Sequence, residues 1–369
     1  MNLRKLQLSR FRNFSAMVMQ PQQHLNLVYG ENGSGKSSLF EAIFLLGRGK
    51  SFRVSRNSLL IQQGSTEATV FGEVESPGTE PESGATVPIG IAITTGRTIF
   101  RARGEKLKKS SELARFLPLA YLGADCARQL SDGPQYRRRL LDWGVFHVEH
   151  HYPSIWMKFS RILKQRNCML RLRSRPSDLA FWDEQFIAES VRLHEFRKTY
   201  VEALVPIFNQ FIEQMLRVTT LNPASLKLVY RPGWDEHFSL EAILARQYSR
   251  DLELGHTQSG AHRADLNIFL GDSPADVTAS SGQMKLLASA LFLAQLALLR
   301  ERSHLQPVAL VDDLPSELDD DHRYRFLELL QGLKIQAFVS ATEKQLLDYD
   351  PISWSGMFHV KQGNIVEAS

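Results

Sequence analysis

The stretch GENGSGKSS, residues 30 to 38, sets the residue types that a phosphate group requires in a fixed order: Gly30, Gly35, Lys36 and Ser37 occupy the positions of G-x-x-x-x-G-K-[ST]. Glycines at both ends let backbone N–H groups wrap an anion, and the helix that follows adds positive potential at its N-terminus. Lys36 reaches the β- and γ-phosphates of a nucleoside triphosphate, and Ser37 offers a hydroxyl to Mg²⁺. Glu31, Asn32, Gly33, Ser34 and Ser38 complete the loop, so all nine residues are candidate ATP contacts. At average composition such a match arises by chance in about 1% of chains of this size.

A phosphate grip does not separate kinases, GTPases, transporters and motors, and two later stretches narrow the chemistry. PVALVDDLPSELD sets Val308 to Val311, all apolar, before Asp312 and Asp313. That is a buried strand delivering carboxylates at its C-terminal end. Asp312 is then placed to meet Mg²⁺, and Asp313 to orient or deprotonate the attacking water. In SSGQMKLLASALFLAQLALL, small residues precede a long apolar helix, so Ser280, Ser281 and Gly282 flank a second helix N-terminus able to hold an anion. Alone this is an ordinary capped core helix. Ahead of the carboxylate strand, Ser280, Ser281, Gly282 and Gln283 resemble the signature motif of ABC-type ATPases, whose helix caps the γ-phosphate of ATP held by the opposite subunit. That resemblance implies an ATP-dependent dimer.

These groups need elements to position them. LNLVY ends as a strand at Tyr29, the loop follows, and SLFEAIFLLG keeps helical spacing until Gly47 stops it. Val87, Ile89, Ile91 and Ile93 alternate with smaller residues, and TTGRT turns the chain before IFRAR, as in an antiparallel sheet. The stretch ESPGTEPESG ahead of it reads as a loop. From about Tyr136 to Arg217 the strand signal disappears, and Val201, Leu204, Val205, Phe208, Phe211, Ile212 and Met215 keep a helical stripe in which Pro206 is an expected kink. Strand signals return in LKLVY, VALVDD and IQAFVS, and MFHVKQGNIVEA reads as a hairpin. The expected division is an ATPase lobe over 1–135 with the loop and a β-subdomain, a helical lobe over 136–255, and a return to the ATPase lobe over 256–369.

At 369 residues, 43% hydrophobic and 23% charged, the chain has the composition of a soluble globular protein large enough for two lobes. Its formal charge is only +4, so an anionic partner must be met by local patches. Cys126 and Cys168 lie far apart with no Cys/His cluster, which disfavours a zinc site or disulfide framework and fits a reducing cytoplasm. The opening MNLRKLQLSRFRNF never develops the apolar stretch of a signal peptide, and no later run is expected to reach transmembrane length. A cytoplasmic protein without a membrane partner is expected.

The order RFRNF (10 to 14), GENGSGKSS, GPQYRRRLLDW (133 to 143), GAHRADL, SSGQMK and VDDLPSELD closely resembles the RecF family of bacterial DNA replication and repair proteins, beside the Rad50 and SMC ATPases. The resemblance spans essentially the whole chain. It implies an α/β fold: an ABC-type P-loop ATPase head with a mixed sheet, an antiparallel β-subdomain and an inserted helical lobe in place of a long coiled coil. It further implies ATP and Mg²⁺ as cofactors, and a D-loop at Ser316, Glu317, Leu318 and Asp319. It also implies DNA binding by an ATP-closed homodimer at single-strand/duplex junctions, with RecR and RecO as partners that help load RecA onto gapped DNA. Two departures from the wider ABC pattern suggest slow hydrolysis and a switch: Asp313 stands where a glutamate is usual, and SAT (340 to 342) lacks the histidine that many such ATPases aim at the γ-phosphate.

The residues add weaker support of their own for DNA. Arg161, Lys164, Arg166 and Arg171 lie with Arg173 and Arg175 in a stretch without acidic residues, and RARGEKLKK (101 to 109) is also basic. Each phosphate so neutralised steepens the salt dependence of binding, whereas the alternative is a solvated helix face. Neither stretch interleaves aromatics, so stacking on single strands is not indicated. His262 and Arg263 either line the nucleotide or DNA surface or serve structure, and Gln129 either couples nucleotide to the helical lobe or is a surface residue. A transporter's nucleotide-binding subunit would carry loop and signature much closer in sequence, and a small P-loop kinase or GTPase would have no use for SSGQ.

Overall fold

The computed structural model describes residues 2–75, 85–216, 225–303 and 305–367. Strands β1 (Leu3–Phe11) and β2 (Phe14–Met19) form an antiparallel hairpin in which Leu6 and Leu8 are buried and their neighbours are not, the alternation of a sheet with one covered face. β3 (Leu25–Tyr29) and α1 (Lys36–Arg48) follow, and then β4 (Glu67–Glu75), β5 (Thr86–Thr94), β6 (Thr98–Ala102) and β7 (Glu105–Lys106). With the first hairpin these last four make a six-stranded antiparallel sheet in the order β2-β1-β4-β5-β6-β7. Val87, Ile89, Ile91 and Ile93 supply its buried face. The loop expected over 75 to 84 lies, from residue 76 on, outside the described residues.

After β8 (Leu119–Leu122) come α2 (Cys126–Ser131), α3 (Pro134–Val148), α4 (Tyr152–Arg171) and the 40-residue α5 (Pro176–Met215), with Pro206 inside the last. β9 (Leu226–Arg231), α6 (Leu240–Leu254), β10 (Asp265–Leu270), β11 (Ser273–Pro274) and α7 (Ala275–Thr278) follow. The three strands pair as a small antiparallel sheet, so the lobe expected to be helical also carries strands. The chain ends with α8 (Ser281–Ser303), β12 (Val308–Val311), α9 (Leu314–Glu317), α10 (Asp320–Gly332), β13 (Gln336–Ala341) and the hairpin β14 (Gly356–Lys361) and β15 (Asn364–Glu367).

The second six-stranded sheet is mixed, in the order β15-β14-β3-β13-β12-β8, with every pair parallel except the terminal hairpin. All residues of β12 and β13 are buried, as in strands covered on both faces. Helix α1 joins the two sheets: Leu39, Phe40, Ile43 and Leu46 share one core with Val28, Leu310 and Phe338 of the mixed sheet and Leu6, Val70 and Ile89 of the antiparallel one. Gly47 does not stop this helix, which runs on to Gly49 in the left-handed conformation. A Cβ on Gly47 would stand 2.8 Å from Leu117 O, so glycine there serves close packing.

Two compact units result: Met1–Cys126, Arg217–Thr219 and Lys285–Ser369 in one, Ala127–Leu216 and Thr220–Met284 in the other. The boundaries fall at 126/127 and 284/285 rather than at 135/136 and 255/256. Within the second unit Arg137 of α3 explains the shift, because its guanidinium binds Leu130 O at 2.6 Å and both carboxylate oxygens of Asp265 at 2.8 and 2.9 Å. Residues flanking the helices are thereby tied to them. A second expectation is also corrected: α8, 23 residues long, holds an 18-residue window with a mean hydropathy of 1.5, long and apolar enough to cross a membrane, although 78% of that window is buried inside the protein. Ser289 and Gln295 interrupt the apolar run in the sequence, yet both are buried with it.

Candidate functional site

The parallel register decides what meets what. Ala341 pairs with Tyr29, and Val311 pairs with both Val339 and Leu122, so β3, β13, β12 and β8 end together. The loop after Tyr29 and the carboxylates after Val311 therefore gather at the C-terminal edge of one sheet, where open α/β sheets hold their ligands.

The loop holds its shape through glycine and through braces from other strands. Gly30 has φ +153°, and a Cβ on it would lie 2.3 Å from Val360 O; Gly35 has φ +124°, with Asn13 Nδ2 2.6 Å from such a Cβ. The Ser34 carbonyl accepts from Asn13 Nδ2 at 2.9 Å and from the Gly363 N–H at 3.0 Å, while the Ser34 hydroxyl is buried without a partner. Lys36 is nearly buried, and its Nζ donates to Gly30 O at 2.5 Å and Glu31 O at 3.0 Å. No side chain caps α1 at Gly35, so the N–H groups of its first turn remain available. Glu31, Asn32 and Gly33 are exposed at the loop's tip, and Ser37 and Ser38 are half-buried on the first turn. Burial pulls the Lys36 pKa down, with the carboxylates of Asp313 and then Asp312 working against it. The lysine and both aspartates thus share one electrostatic site.

Asp312 is 9% exposed and accepts from Ser340 Oγ at Oδ1, 2.7 Å away; its Oδ2 lies 3.5 Å from Tyr121 OH. Burial, and next the Asp312 charge, push the Tyr121 pKa well up, so the phenol stays protonated. Asp313 turns the chain in the left-handed conformation, φ 53° and ψ 51°, its N–H donating to Ser340 Oγ at 2.8 Å and its Oδ2 accepting from Ser316 Oγ at 2.6 Å. Mg²⁺ is bound by few protein carboxylates, hydroxyls and phosphate oxygens rather than by an all-protein cage. The residues present fit it: Asp312 and the Ser37 hydroxyl offer hard oxygens, and among the described residues no cluster of three or more His, Cys, Asp or Glu could form such a cage.

At the signature, Ser280 Oγ accepts from the Gln283 N–H at 3.2 Å, and Gln283 Oε1 accepts from the Ser280 N–H at 2.8 Å. This is a reciprocal capping box, and Ser280, Ser281 and Gly282 are exposed around it. Of the expected D-loop residues, Ser316 is exposed and bonded to Asp313, and Leu318 is buried. Glu317 lies 3.6 Å from Lys285 Nζ, and burial raises its pKa against the pull of that ammonium. Asp319 caps α10, accepting from His322 N at 3.1 Å.

The basic stretch divides. Arg161, Lys164 and Arg171 are exposed, as are Arg173 and Arg175 and the five basic residues of the stretch 101 to 109. Arg166 is not a DNA contact: it is fully buried, donating to Asp183 Oδ1 at 2.6 Å, Asp251 Oδ2 at 2.8 Å and Thr257 Oγ1 at 2.7 Å. The acids that neutralise it lie on α5 and α6, out of sight of its sequence neighbours. His262 is packed near Phe159 and Phe186, and burial pushes its pKa down to about 4, so it serves the core as a neutral ring; Arg263 is exposed. Gln129 is half-buried on α2.

Residue-by-residue reading missed the braces of the loop. Arg12 holds the fully buried Glu41 of α1 with two bonds, at 2.8 and 3.0 Å, and Asn13 holds Ser34. A glutamate on the buried face of an apolar helix was the available signal for the first pair. Ser340 carries no comparable signal, being one small residue near the end of a buried strand.

The family model of the RecF/RecN/SMC N-terminal domain matches residues 2–365. The DNA replication and repair protein RecF of Pseudomonas putida strain GB-1 is 38% identical over 372 residues, covering 100% of this chain and 98% of that protein. RecF of Shewanella piezotolerans is likewise 38% identical, with 99% of each chain covered. Among solved structures, that of the recombination mediator protein RecF with ATP, in the RecFOR pathway, superimposes with a TM-score of 0.82 at 26% identity, covering 100% of this chain and 97% of that one. An SMC head bound to the C-terminal winged-helix domain of ScpA shares the fold at a TM-score of 0.62 and 17% identity. Matched over nearly its whole length by the family model and over its full length by RecF proteins, the chain belongs to the RecF/RecN/SMC family, on its RecF branch.

Proposed function

We propose that this chain is an ATP-dependent DNA-binding protein of recombinational repair and replication, an ATPase that acts mainly as a switch. The observation that carries the reading is the convergence of Lys36, Asp312 and Asp313 at one edge of the mixed sheet, close enough for both carboxylates to act on the lysine. In this reading residues Gly30 to Ser38 wrap the phosphates, and Lys36 exchanges its two carbonyl partners for β- and γ-phosphate oxygens. Mg²⁺, when bound, neutralises charge between those phosphates. Asp312 and Ser37 would hold it. Asp313 orients the attacking water and takes its proton; as the shorter carboxylate it favours slow, DNA-stimulated turnover.

A second copy supplies Ser280 to Gln283 across the γ-phosphate, so ATP closes a homodimer and hydrolysis opens it. The closed form binds duplex and single-strand/duplex junctions of gapped DNA through exposed basic residues, among them Arg161, Lys164 and Arg171. RecR and RecO are the partners through which it promotes RecA loading, in the cytoplasm. The 244 positions between Lys36 and Ser280 support this over a transporter subunit.

The test is a DNA-binding titration on gapped and blunt duplexes, with and without ATP, at two salt concentrations. ATP should tighten binding, most on gapped DNA, with a steep salt slope that flattens when Arg161, Lys164 and Arg171 are replaced by Ala. Binding indifferent to ATP would remove the switch from the reading.

A further inference from the structure

We infer that Ser340 is a positioning residue of this site, one hydroxyl that sets both carboxylates at once; the inference rests on the nucleotide-site reading above. Ser340 sits near the end of β13, fully buried in a strand of otherwise apolar residues and one glutamine. A buried hydroxyl costs free energy unless it is hydrogen-bonded, and a packed central strand has no structural need of one. Both bonds of Ser340 run into the site. Its single hydrogen goes to Asp312 Oδ1 at 2.7 Å, and its oxygen accepts the Asp313 N–H at 2.8 Å.

The consequences follow from the inventory of donors and acceptors. With one lone pair of Oδ1 taken by Ser340, Oδ2 is the Asp312 oxygen freer to meet a cation, since its neighbour Tyr121 OH at 3.5 Å lies beyond the usual O–H···O distance. The bond to the Asp313 N–H holds the peptide between the two aspartates, at the point where Asp313 turns the chain through a left-handed conformation that Asp tolerates better than most residues. β13 also pairs with β3, the strand that leads into the phosphate loop. Ser340 therefore references the carboxylates to the same sheet whose strand β3 leads into the loop that ends at Lys36.

The experiment compares Ser340→Ala with the parent chain. A fluorescent ATP analogue is titrated in EDTA, and Mg²⁺ is then titrated at fixed analogue, reading both bound nucleotide and turnover. Removing a group that orients a metal ligand typically costs 10- to 100-fold in metal affinity, so the Mg²⁺ needed for half-effect should rise by about 10-fold or more. Affinity in EDTA should stay within about two-fold, because the loop and Lys36 are untouched. An unchanged Mg²⁺ requirement in the folded variant overturns the inference, and so does an equal loss of binding in EDTA, which marks general damage to the strand. If the parent chain itself neither binds the analogue nor responds to Mg²⁺, the nucleotide-site reading fails instead.

Discussion

Helices α1 and α8 both begin at small residues, and both N-termini carry the partial positive charge of a helix end, yet they are finished differently. α1 starts at Gly35 with no side-chain cap, and its lysine is folded back onto backbone carbonyls of the loop. α8 starts behind Ser280 and closes on itself, the Ser280 hydroxyl and the Gln283 amide each satisfying the other's N–H. An uncapped end presents donors that only an anion satisfies well, so it binds on its own. A boxed end is stable in water and gains from an anion only when another body brings one to it. The difference matches the roles proposed for them, nucleotide held in one copy and capped by the other.

Five substitutions test that contrast, beginning where the effect should be greatest. Lys36→Met removes the fixed cation of the open end, and the loss of a charge-assisted bond of about 1.5–3 kcal/mol per phosphate contact should lower ATP affinity at least ~10-fold and abolish ATP-dependent DNA binding. Retained ATP-responsive DNA binding in that variant would mean that the open end does not grip the nucleotide. Ser280→Arg should leave the ATP affinity of an isolated chain within a few-fold while ATP-induced dimerisation, followed by light scattering, disappears. Mixing it with Lys36→Met should restore some turnover, since a mixed dimer holds one site free of both lesions. Failure at every ratio, together with lost ATP binding by the Ser280→Arg chain, would put Ser280 in its own subunit's site.

Glycine sharpens the comparison further. At Gly35 a Cβ would meet Asn13 and the backbone has φ +124°, whereas Gly282, on the first turn of α8, has open space around its Cβ position. Gly35→Ala should cost ~1–3 kcal/mol of stability through backbone strain, and Gly282→Ala should be neutral or gain up to ~1 kcal/mol from helix propensity. Chemical denaturation of the two variants measures both, and equal costs would erase the distinction between the two ends. The smallest loss should come from Gln283→Ala, which opens the box for ~1 kcal/mol or less, seen as a slight drop in melting temperature with nucleotide affinity unchanged. A large loss of ATP affinity there would show that α8 already serves the site of its own chain.

What could be read in advance was local. The loop announces itself because its glycines, lysine and serine stand at fixed offsets; β12 does so by four apolar residues before two aspartates, and β5 by its alternating isoleucines. The end of α1 was misplaced because Gly47 reads as a stop in one dimension and as a packing contact with Leu117 O in three. The membrane length of α8 is hidden in the string, where Ser289 and Gln295 break the apolar run, although both are buried in the helix.

Charge was the least legible property. In the sequence Arg161, Lys164, Arg166 and Arg171 are equivalent members of one basic stretch; in the fold Arg166 is neutralised by Asp183 and Asp251 while the other three remain exposed. Likewise Ser340 is one more small residue near a strand end until parallel pairing sets it beside Asp312 and Asp313. Most of the elements and the chemistry of the phosphate loop are legible in the string of residues, because periodicity and motif spacing act over a few residues and survive in one dimension. Which charges stay free and which hydroxyls hold the carboxylates is set by the fold, because those bonds join residues far apart along the chain, and burial, which makes an unpaired charge costly, exists once the chain has closed around it.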